Sequence, residues 1–270
     1  MKNDHRLRWS FFLWWMMMKL KLERLIVMGI MAGIGTLAGA AQLSRADSGA
    51  IALRGPIAEG DVDRLRLLAT PGTTLLRVNS DAGEPLAAMQ LGRYLRRQQW
   101  DVAVDTVCAG SCALYVFPAA RHKRIPADAV LALQESAFLR AQASPAQLRR
   151  TLADAGVAAE DLERETVALA AQLTETAAME AAFAAELDIA PAFYRDFAQV
   201  AAQADGVRQR FPDQEAVVHW WPGAARLQRC YGIAGVDEGP RAVRLAPDGY
   251  LYVPALSALV MGDQALQDCP

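Results

Sequence analysis

Neither sign of charge dominates this sequence, which has 28 basic and 30 acidic side chains in 270 residues and a formal net charge of −2. Nucleic-acid binding needs basic residues clustered on one face, so this balance excludes a nucleic-acid partner. Histidine is scarce, and its three positions, His5, His122 and His219, are not part of any closely spaced set of cysteines. The spacing therefore predicts no metal site, and no motif indicates a cofactor.

Cysteine is also infrequent, with only four positions: Cys108, Cys112, Cys230 and Cys269. An even number of cysteines can pair fully in an oxidising compartment, and four cysteines allow three connectivities. We predict the pairs Cys108–Cys112 and Cys230–Cys269.

Charge is absent from Leu25 to Ala41, and basic residues precede this run. A basic segment, an apolar segment and small residues in that order are typical of a secretory signal peptide. Small residues place cleavage after Ala40 or after Ala46. An uncleaved membrane anchor is the alternative, since a span needs about 20 apolar residues. Residues 1–46 are thus interpreted as a signal peptide or anchor, and the location as periplasmic or otherwise extracytoplasmic.

Residues 1–18 contain a separate aromatic cluster that ends in Met16-Met17-Met18. A start at Met18 would give a conventional signal-peptide opening, with lysines directly before the apolar run. We therefore favour Met18 over Met1 as the true start. The alternative is an amphipathic helix that lies on the membrane surface.

After the N-terminal segment, short apolar runs alternate with helical patterns. This alternation predicts an α/β fold with a parallel sheet covered by helices. Two turns, at residues 80–83 and 108–111, fall after predicted strands, where ligand sites lie in such folds. The predicted strands are residues 51–54, 74–78, 102–107 and 130–133, and the helices are residues 61–68, 85–97 and a buried helix from 112.

The composition changes twice more along the chain. Residues 47–140 are interpreted as the α/β core. Residues 141–208 are rich in Ala, Glu and Leu, and predict a helical segment that packs on the core. Residues 209–270 predict short strands and turns that complete the same domain, with strands at 217–222, 242–245 and 250–253.

Two segments resemble a known family: Val78-Asn-Ser-Asp-Ala-Gly83, and Val107-Cys-Ala-Gly-Ser-Cys-Ala-Leu-Tyr-Val-Phe-Pro-Ala-Ala120. They resemble the proteolytic subunit of Clp protease and the wider crotonase-like superfamily, and most closely its small periplasmic members of unknown function. The resemblance covers residues 51–136, about a third of the chain. It implies a crotonase/Clp-like sheet core and assembly into homo-oligomers.

The resemblance also assigns roles to particular residues. Ser111 lies at the position of the nucleophile, and Gly83 and Cys112 would supply the oxyanion-hole N–H groups. A serine at a helix N-terminus lies beside unpaired N–H donors that can stabilise an oxyanion. However, Gln134 occupies the place of the usual histidine, and an amide is not a base that can activate serine.

Three other residues are candidates for the base: Glu135, His122 and His219. His122 lies in a basic stretch that is typical of a solvated loop, and His219 beside two tryptophans is typical of a packed structural histidine. Ser111 also has a simpler interpretation as the cap of the helix that follows it.

Two functions follow from these observations. The first is an exported serine peptidase or hydrolase with an incomplete catalytic set. The second is a non-catalytic periplasmic binding or assembly protein, a pseudoenzyme, which is membrane-tethered if the N-terminal segment is retained. Either function is compatible with a peptide or protein ligand, and the membrane is expected to be contacted only through the N-terminal segment.

Overall fold

The computed structural model describes residues 41–46, 49–208, 217–239 and 249–263, together with residues 266 and 269. The described residues divide into two compact units. One contains residues 140–175, and the other contains the remaining described residues.

The larger unit is built on a seven-stranded sheet with the order β1-β2-β3-β4-β5-β8, in which β6 also pairs with β4. Only the β1–β2 pairing is antiparallel among these strands. The predicted α/β fold with a mostly parallel sheet is therefore confirmed. The strands are β1 (Gln42–Ala46), β2 (Ala50–Arg54), β3 (Leu75–Ser80), β4 (Asp101–Ala109), β5 (Lys123–Ile125), β6 (Val130–Ala132) and β8 (Val236–Glu238).

The central strands β3 and β4 alternate buried apolar residues with partly exposed polar ones along most of their length. Leu76, Val78, Val102 and Val104 are all buried, whereas Arg77 and Asp105, on the other face, form a partly exposed ion pair, so one face of these strands carries most of the buried core. Two helices form the first crossover connections: α1 (Asp61–Leu68) connects β2 to β3, and α2 (Pro85–Gln98) connects β3 to β4. Proline in the first turn of α2 is favourable because that position needs no N–H donor.

The long strand β4 has two neighbours along one edge. Its amino-terminal half pairs with β5, at Val102 and Lys123, and its carboxyl-terminal half pairs with β6, at Val107 and Val130. A buried π-helix (Cys112–Val116) follows β4 directly. The carboxyl end of β4 therefore lies between β3 and β6, and this position determines where the candidate site forms.

The rest of the larger unit contains a second sheet and several helices. Three strands, in the order β7-β10-β9, form the second sheet. A bridge between Leu133 and Trp220 links it to the end of β6. Its strands are β7 (Val217–Trp220), β9 (Tyr250–Val253) and β10 (Ala258–Met261), and the helices are α3 (Ala137–Arg140), α6 (Ala192–Arg195), α7 (Phe197–Arg208) and α8 (Ala224–Tyr231).

The smaller unit is helical, as the composition of this segment predicts. Helix α4 (Pro145–Asp154) begins with a capping box formed by Ser144 and Gln147, which satisfies backbone donors at its start. Helix α5 (Leu162–Glu186) is 25 residues long, and its first part lies in this unit. A small apolar cluster of Leu148, Leu152 and Leu169 holds α4 and α5 together.

The structure corrects several sequence-based predictions. Cys108 belongs to β4 and not to a turn, since β4 extends to Ala109. Lys123 lies in β5 and is buried, although residues 121–124 were interpreted as a solvated loop. The last 60 residues contain helix α8, where only strands and turns were predicted.

Some predictions fall outside the described residues. The strand predicted at 242–245 is one of them, and so is the apolar segment of residues 25–40. Residues 42–46, which were assigned to the signal or anchor segment, instead form β1. None of the helices that the structure describes is long and apolar enough to cross a membrane.

Candidate functional site

The predicted site residues meet where β3, β4 and β6 end. Ser80 pairs with Cys108 across β3 and β4, and Ala109 pairs with Ala132 across β4 and β6. The carboxyl-terminal ends of all three strands therefore lie side by side. Parallel α/β sheets hold their ligands beyond these ends, as predicted for the turns at 80–83 and 108–111.

Ser111 and Gly83 are in direct contact. The Ser111 Oγ donates a hydrogen bond to the Gly83 carbonyl at 2.7 Å, and the Ser111 residue is only 7% exposed. The structure thus brings the nucleophile position beside one of the two predicted oxyanion-hole residues. In this arrangement the serine proton is directed to a peptide carbonyl, which is not a base.

The same hydrogen bond changes the simpler interpretation of Ser111. Ser111 is the residue at the N-cap position of the π-helix, but its side chain makes no capping hydrogen bond. Its hydroxyl instead joins two turns that are 28 residues apart in sequence. The expectation that Ser111 caps its own helix through its side chain is therefore wrong.

Gly83 is required by close packing. A Cβ at this position would lie 2.8 Å from both the Cβ and the backbone nitrogen of Ile57. The backbone here is also tied down, because Ile57 N–H donates to the Ala82 carbonyl and Glu84 N–H donates to the Ile57 carbonyl. The backbone of the turn that positions Gly83 is consequently held in place.

Gln134 lies beside the turn between β4 and the π-helix. A Cβ built on Gly110 would lie 3.0 Å from the Gln134 Nε2, and 3.8 Å from the Asp81 carbonyl oxygen. The side chain in the position of the usual histidine therefore reaches the same turn as Ser111. Because it ends in an amide, it can donate or accept hydrogen bonds but cannot take up a proton.

A disulfide joins the two ends of the turn that holds Ser111. Cys108 and Cys112 are bonded, with a Cα–Cα distance of 5.3 Å, and both are completely buried. The second disulfide joins Cys230 and Cys269, also with a Cα–Cα distance of 5.3 Å. Both predicted pairs are thus confirmed, and the disulfide between Cys108 and Cys112 fixes the backbone on either side of Ser111.

The helix after Ser111 is a π-helix, as the hydrogen bond from the Phe117 N–H to the Cys112 carbonyl at 2.9 Å shows. The apolar run predicted a buried helix but not its type. π-Helical turns are rare and are found disproportionately at functional sites. The π-helix therefore marks this turn as a candidate functional site.

The buried carboxylate of Glu180, which sequence reasoning missed, accepts a hydrogen bond from the π-helix. The Tyr115 hydroxyl donates to the Glu180 carboxylate at 2.6 Å, and the backbone N–H groups of Ala137 and Phe138 donate to it as well. Burial raises the pKa of the nearby Tyr194 hydroxyl, and the Glu180 charge raises it further. Glu180 lies in an Ala- and Glu-rich helix, where nothing in the sequence separates it from solvent-exposed glutamates.

The candidate bases are distributed differently. His122 is exposed and lies 3.2 Å from the Asp101 carboxylate through its Nδ1, at the amino end of β4. Ser111 follows the other end of this nine-residue strand, about 30 Å away at about 3.3 Å per residue. The structure therefore does not bring His122 to Ser111.

The other two candidates lie nearer the end of β6. His219 is buried on β7, next to Trp220, the residue that bridges to Leu133. Its burial agrees with the interpretation as a packed histidine. Glu135 follows Gln134 and is half-buried.

Comparison with known proteins gives no family assignment. No family model matches the chain, and no curated protein matches it. Similar solved structures include an enoyl-CoA hydratase from Mycobacterium avium subsp. paratuberculosis K-10, with 18% identity, coverage of 60% of this chain and 88% of that chain, and a TM-score of 0.29.

Two further similar structures are Pseudomonas aeruginosa AtuE and a probable enoyl-CoA hydratase/isomerase from Mycobacterium abscessus. AtuE has 16% identity, covers 62% of this chain and 91% of its own, and has a TM-score of 0.28. The M. abscessus protein has 10% identity, covers 63% of this chain and 95% of its own, and has a TM-score of 0.28. Because these superpositions are weak, the strand order and the parallel pairings described above are what establish the α/β fold.

Proposed function

We propose that this chain is an exported crotonase/Clp-like protein that acts without serine-hydrolase chemistry, as a binding or assembly protein. The observation that carries the proposal is the hydrogen bond from the Ser111 Oγ to the Gly83 carbonyl. A nucleophilic serine needs a base to take its proton. Here the Ser111 hydroxyl donates a hydrogen bond to a carbonyl, which cannot take up the proton, and the residue in the histidine position is Gln134.

Burial supports the same conclusion. Ser111, Gly83, Gly110 and Cys112 are all buried, so a substrate carbonyl would have to displace part of the turn to reach the hydroxyl. The buried disulfide between Cys108 and Cys112 opposes such a displacement. We therefore interpret the turn as a rigid structural element of the proposed binding protein, whose ligand would be a peptide, a protein or further copies of this chain.

Export is proposed from the cysteines and the N-terminal sequence together. All four cysteines are in disulfides, and disulfides persist mainly in oxidising compartments. The apolar segment that begins at Leu25 has the composition of a signal peptide or of a membrane tether.

A serine hydrolase is the second candidate, and one observation favours it. Ser111 lies at the carboxyl end of a central strand and directly before a π-helix, a combination found at catalytic turns. In this case the hydroxyl would have to leave Gly83 and find a base other than Gln134.

Labelling with a fluorophosphonate probe separates the two candidates. We expect no labelling of the wild-type protein, because the Ser111 hydroxyl donates to the Gly83 carbonyl and the residue in the histidine position, Gln134, ends in an amide. The variant Gln134→His supplies an imidazole beside the same turn. Labelling that appears in this variant and is lost in the double variant Gln134→His/Ser111→Ala would show that a base at this position is what the wild-type protein lacks. Circular dichroism would confirm that each variant is folded.

Wild-type labelling at Ser111 that falls at least tenfold in Ser111→Ala would overturn the proposal and establish a reactive serine. The binding function is measured separately, by fluorescence anisotropy with fluorescein-labelled unstructured peptides. Binding that is unchanged in Ser111→Ala is the expected result, since the hydroxyl is not proposed to contact the ligand.

A further inference from the structure

A cavity lies at the amino-terminal ends of the strands of the main sheet, opposite the end where Ser111 lies. This cavity of about 480 Å³ is formed where β4, β5 and β8 begin, and its walls come from the end of α2, the start of β5, and the two connections at residues 187–189 and 232–235. Ligand cavities typically measure about 300–1,000 Å³, so this one has room for a small organic molecule.

A buried lysine lines this cavity. Lys123 is only 3% exposed, and its Nζ donates to the Ala120 carbonyl at 2.7 Å and to the Ala234 carbonyl at 2.8 Å. An ammonium group has three N–H donors. Within the part of the chain that the structure describes, no third acceptor contacts this Nζ, so one of its donors is not used by the protein.

Arg96 places a second positive charge in the same cavity. It lies in the last turn of α2, and its side chain has no carboxylate partner among the described residues. Burial and, to a smaller extent, the Arg96 charge lower the pKa of Lys123 to about 8, and the Asp101 charge opposes this shift. The two cations therefore repel each other across the cavity, and a bound anion would relieve that repulsion.

The other charged groups around the cavity are accounted for. Arg121 and His122 both contact the Asp101 carboxylate, so these three groups largely compensate one another. Asp188 is an exposed residue on the cavity rim. Among the described residues, neither Arg96 nor Lys123 forms an ion pair with a carboxylate, and Asp101 acts on Lys123 only through its charge.

We propose that this cavity binds a small phosphate-bearing molecule, with the phosphate held between the Lys123 ammonium and the Arg96 guanidinium. Guanidinium and ammonium groups are the usual protein donors to phosphate oxygens. The volume beyond the phosphate would accommodate a small organic body against the backbone of residues 232–235. This site is separate from the serine turn and does not depend on the function proposed for it.

Calorimetric titration of the purified full chain with inorganic phosphate and with glycerol phosphate tests the proposal. We expect glycerol phosphate to bind more tightly than inorganic phosphate. Either anion should bind at least tenfold more weakly to Arg96→Gln, whose substituted side chain is exposed and does not support the fold. Arg97→Gln is the matched control, because Arg97 is the next residue on α2 and lines a different cavity.

A second readout reports on Lys123 directly. Bound phosphate should raise the pKa of this lysine, measured by NMR titration of its side-chain signals with and without ligand. Equal weakening in Arg96→Gln and Arg97→Gln, no binding at millimolar concentration, or an unchanged Lys123 pKa at saturating phosphate would each overturn the proposal. Lys123→Met should also weaken binding at least tenfold if it folds, and Arg96→Gln decides the question if it does not.

Discussion

Gly92 shows how closely the helices pack below the candidate site. A Cβ at this position would overlap the Tyr115 carbonyl oxygen of the π-helix and would lie 3.0 Å from the Phe183 ring. Because Gly92 has no side chain, the π-helix can pack directly against α2 at this position. A glycine within a helix otherwise destabilises it by about 1 kcal/mol relative to alanine, so the packing must offset that cost.

We expect Gly92→Ala to lower the free energy of unfolding by about 1–3 kcal/mol, the usual cost of overpacking a core. Gly206→Ala is the matched control, since it is also a helical glycine but nothing lies within 4 Å of its added Cβ. The control should be neutral or more stable, because only helix propensity changes. Urea unfolding measures both variants, and equal stability of the two would contradict the packing described here.

Lys123 gives the protein a pH dependence that can be calculated in sign. Burial lowers its pKa from an ordinary value of 10.5 to about 8. Between these two values the unfolded chain binds more protons than the folded chain, so stability contributed by this group rises with pH. This window lies above neutral pH, in contrast to that of most carboxylates.

We therefore expect the wild-type protein to gain stability relative to Lys123→Met as the pH rises from 8 to about 10. Comparison with the variant isolates this lysine from the tyrosines and other groups that also titrate. Urea unfolding of both proteins at pH 7.5 and pH 10 measures the difference. A difference in stability that stays constant between the two pH values would show that Lys123 titrates normally in the folded state.

At the scale of single elements, the buried strands were the most predictable from sequence. The strands β2, β3 and β4 carry buried apolar residues at successive or alternating positions, and the helices α1 and α2 between them have apolar spacing. By contrast, β5 is only three residues long and begins with two basic residues. Its position follows from pairing with β4 and β8, which no local pattern records.

Helix α8 was missed for a different reason. Most of its eight residues are good helix formers, but the segment is short and follows an aromatic run that suggested a region of strands and turns. Arg226 is largely buried and contacts Asp263, a tertiary contact that no local pattern records.

The candidate site was predictable in its position but not in its chemistry. The turns at Gly83 and Ser111 could be located because they follow strong strand patterns. The direction of the Ser111 hydroxyl could not, since a hydroxyl can donate or accept in several directions and its partner is 28 residues away. That direction is the basis of the proposal that this serine is unreactive.

At the scale of the whole molecule, β1 bears on where the chain would begin if it is exported as proposed. Gln42–Ala46 pairs with β2 along five residue pairs, and Ala41 is 1% exposed in the apolar core. The Arg45 side chain also donates to the Leu68 carbonyl at the end of α1. Cleavage after Ala46 would remove all of these contacts, whereas cleavage after Ala40 would keep them.

We therefore expect the mature protein to begin at Ala41. N-terminal sequencing and intact-mass measurement of the protein from the periplasmic fraction test this directly. A chain that begins at Asp47 would contradict the role given to β1 but would still support export, whereas an unprocessed chain in the cytoplasm would contradict export itself.

As an independent measurement, a chain produced from Asp47 should be less stable than one produced from Ala41 by roughly 1–5 kcal/mol, because five cross-strand pairs are lost at about 0.2–1 kcal/mol each. Loss of β1 would also expose the apolar strand β2 as a sheet edge, which favours aggregation. The strand thus gives a physical reason for processing to stop before it.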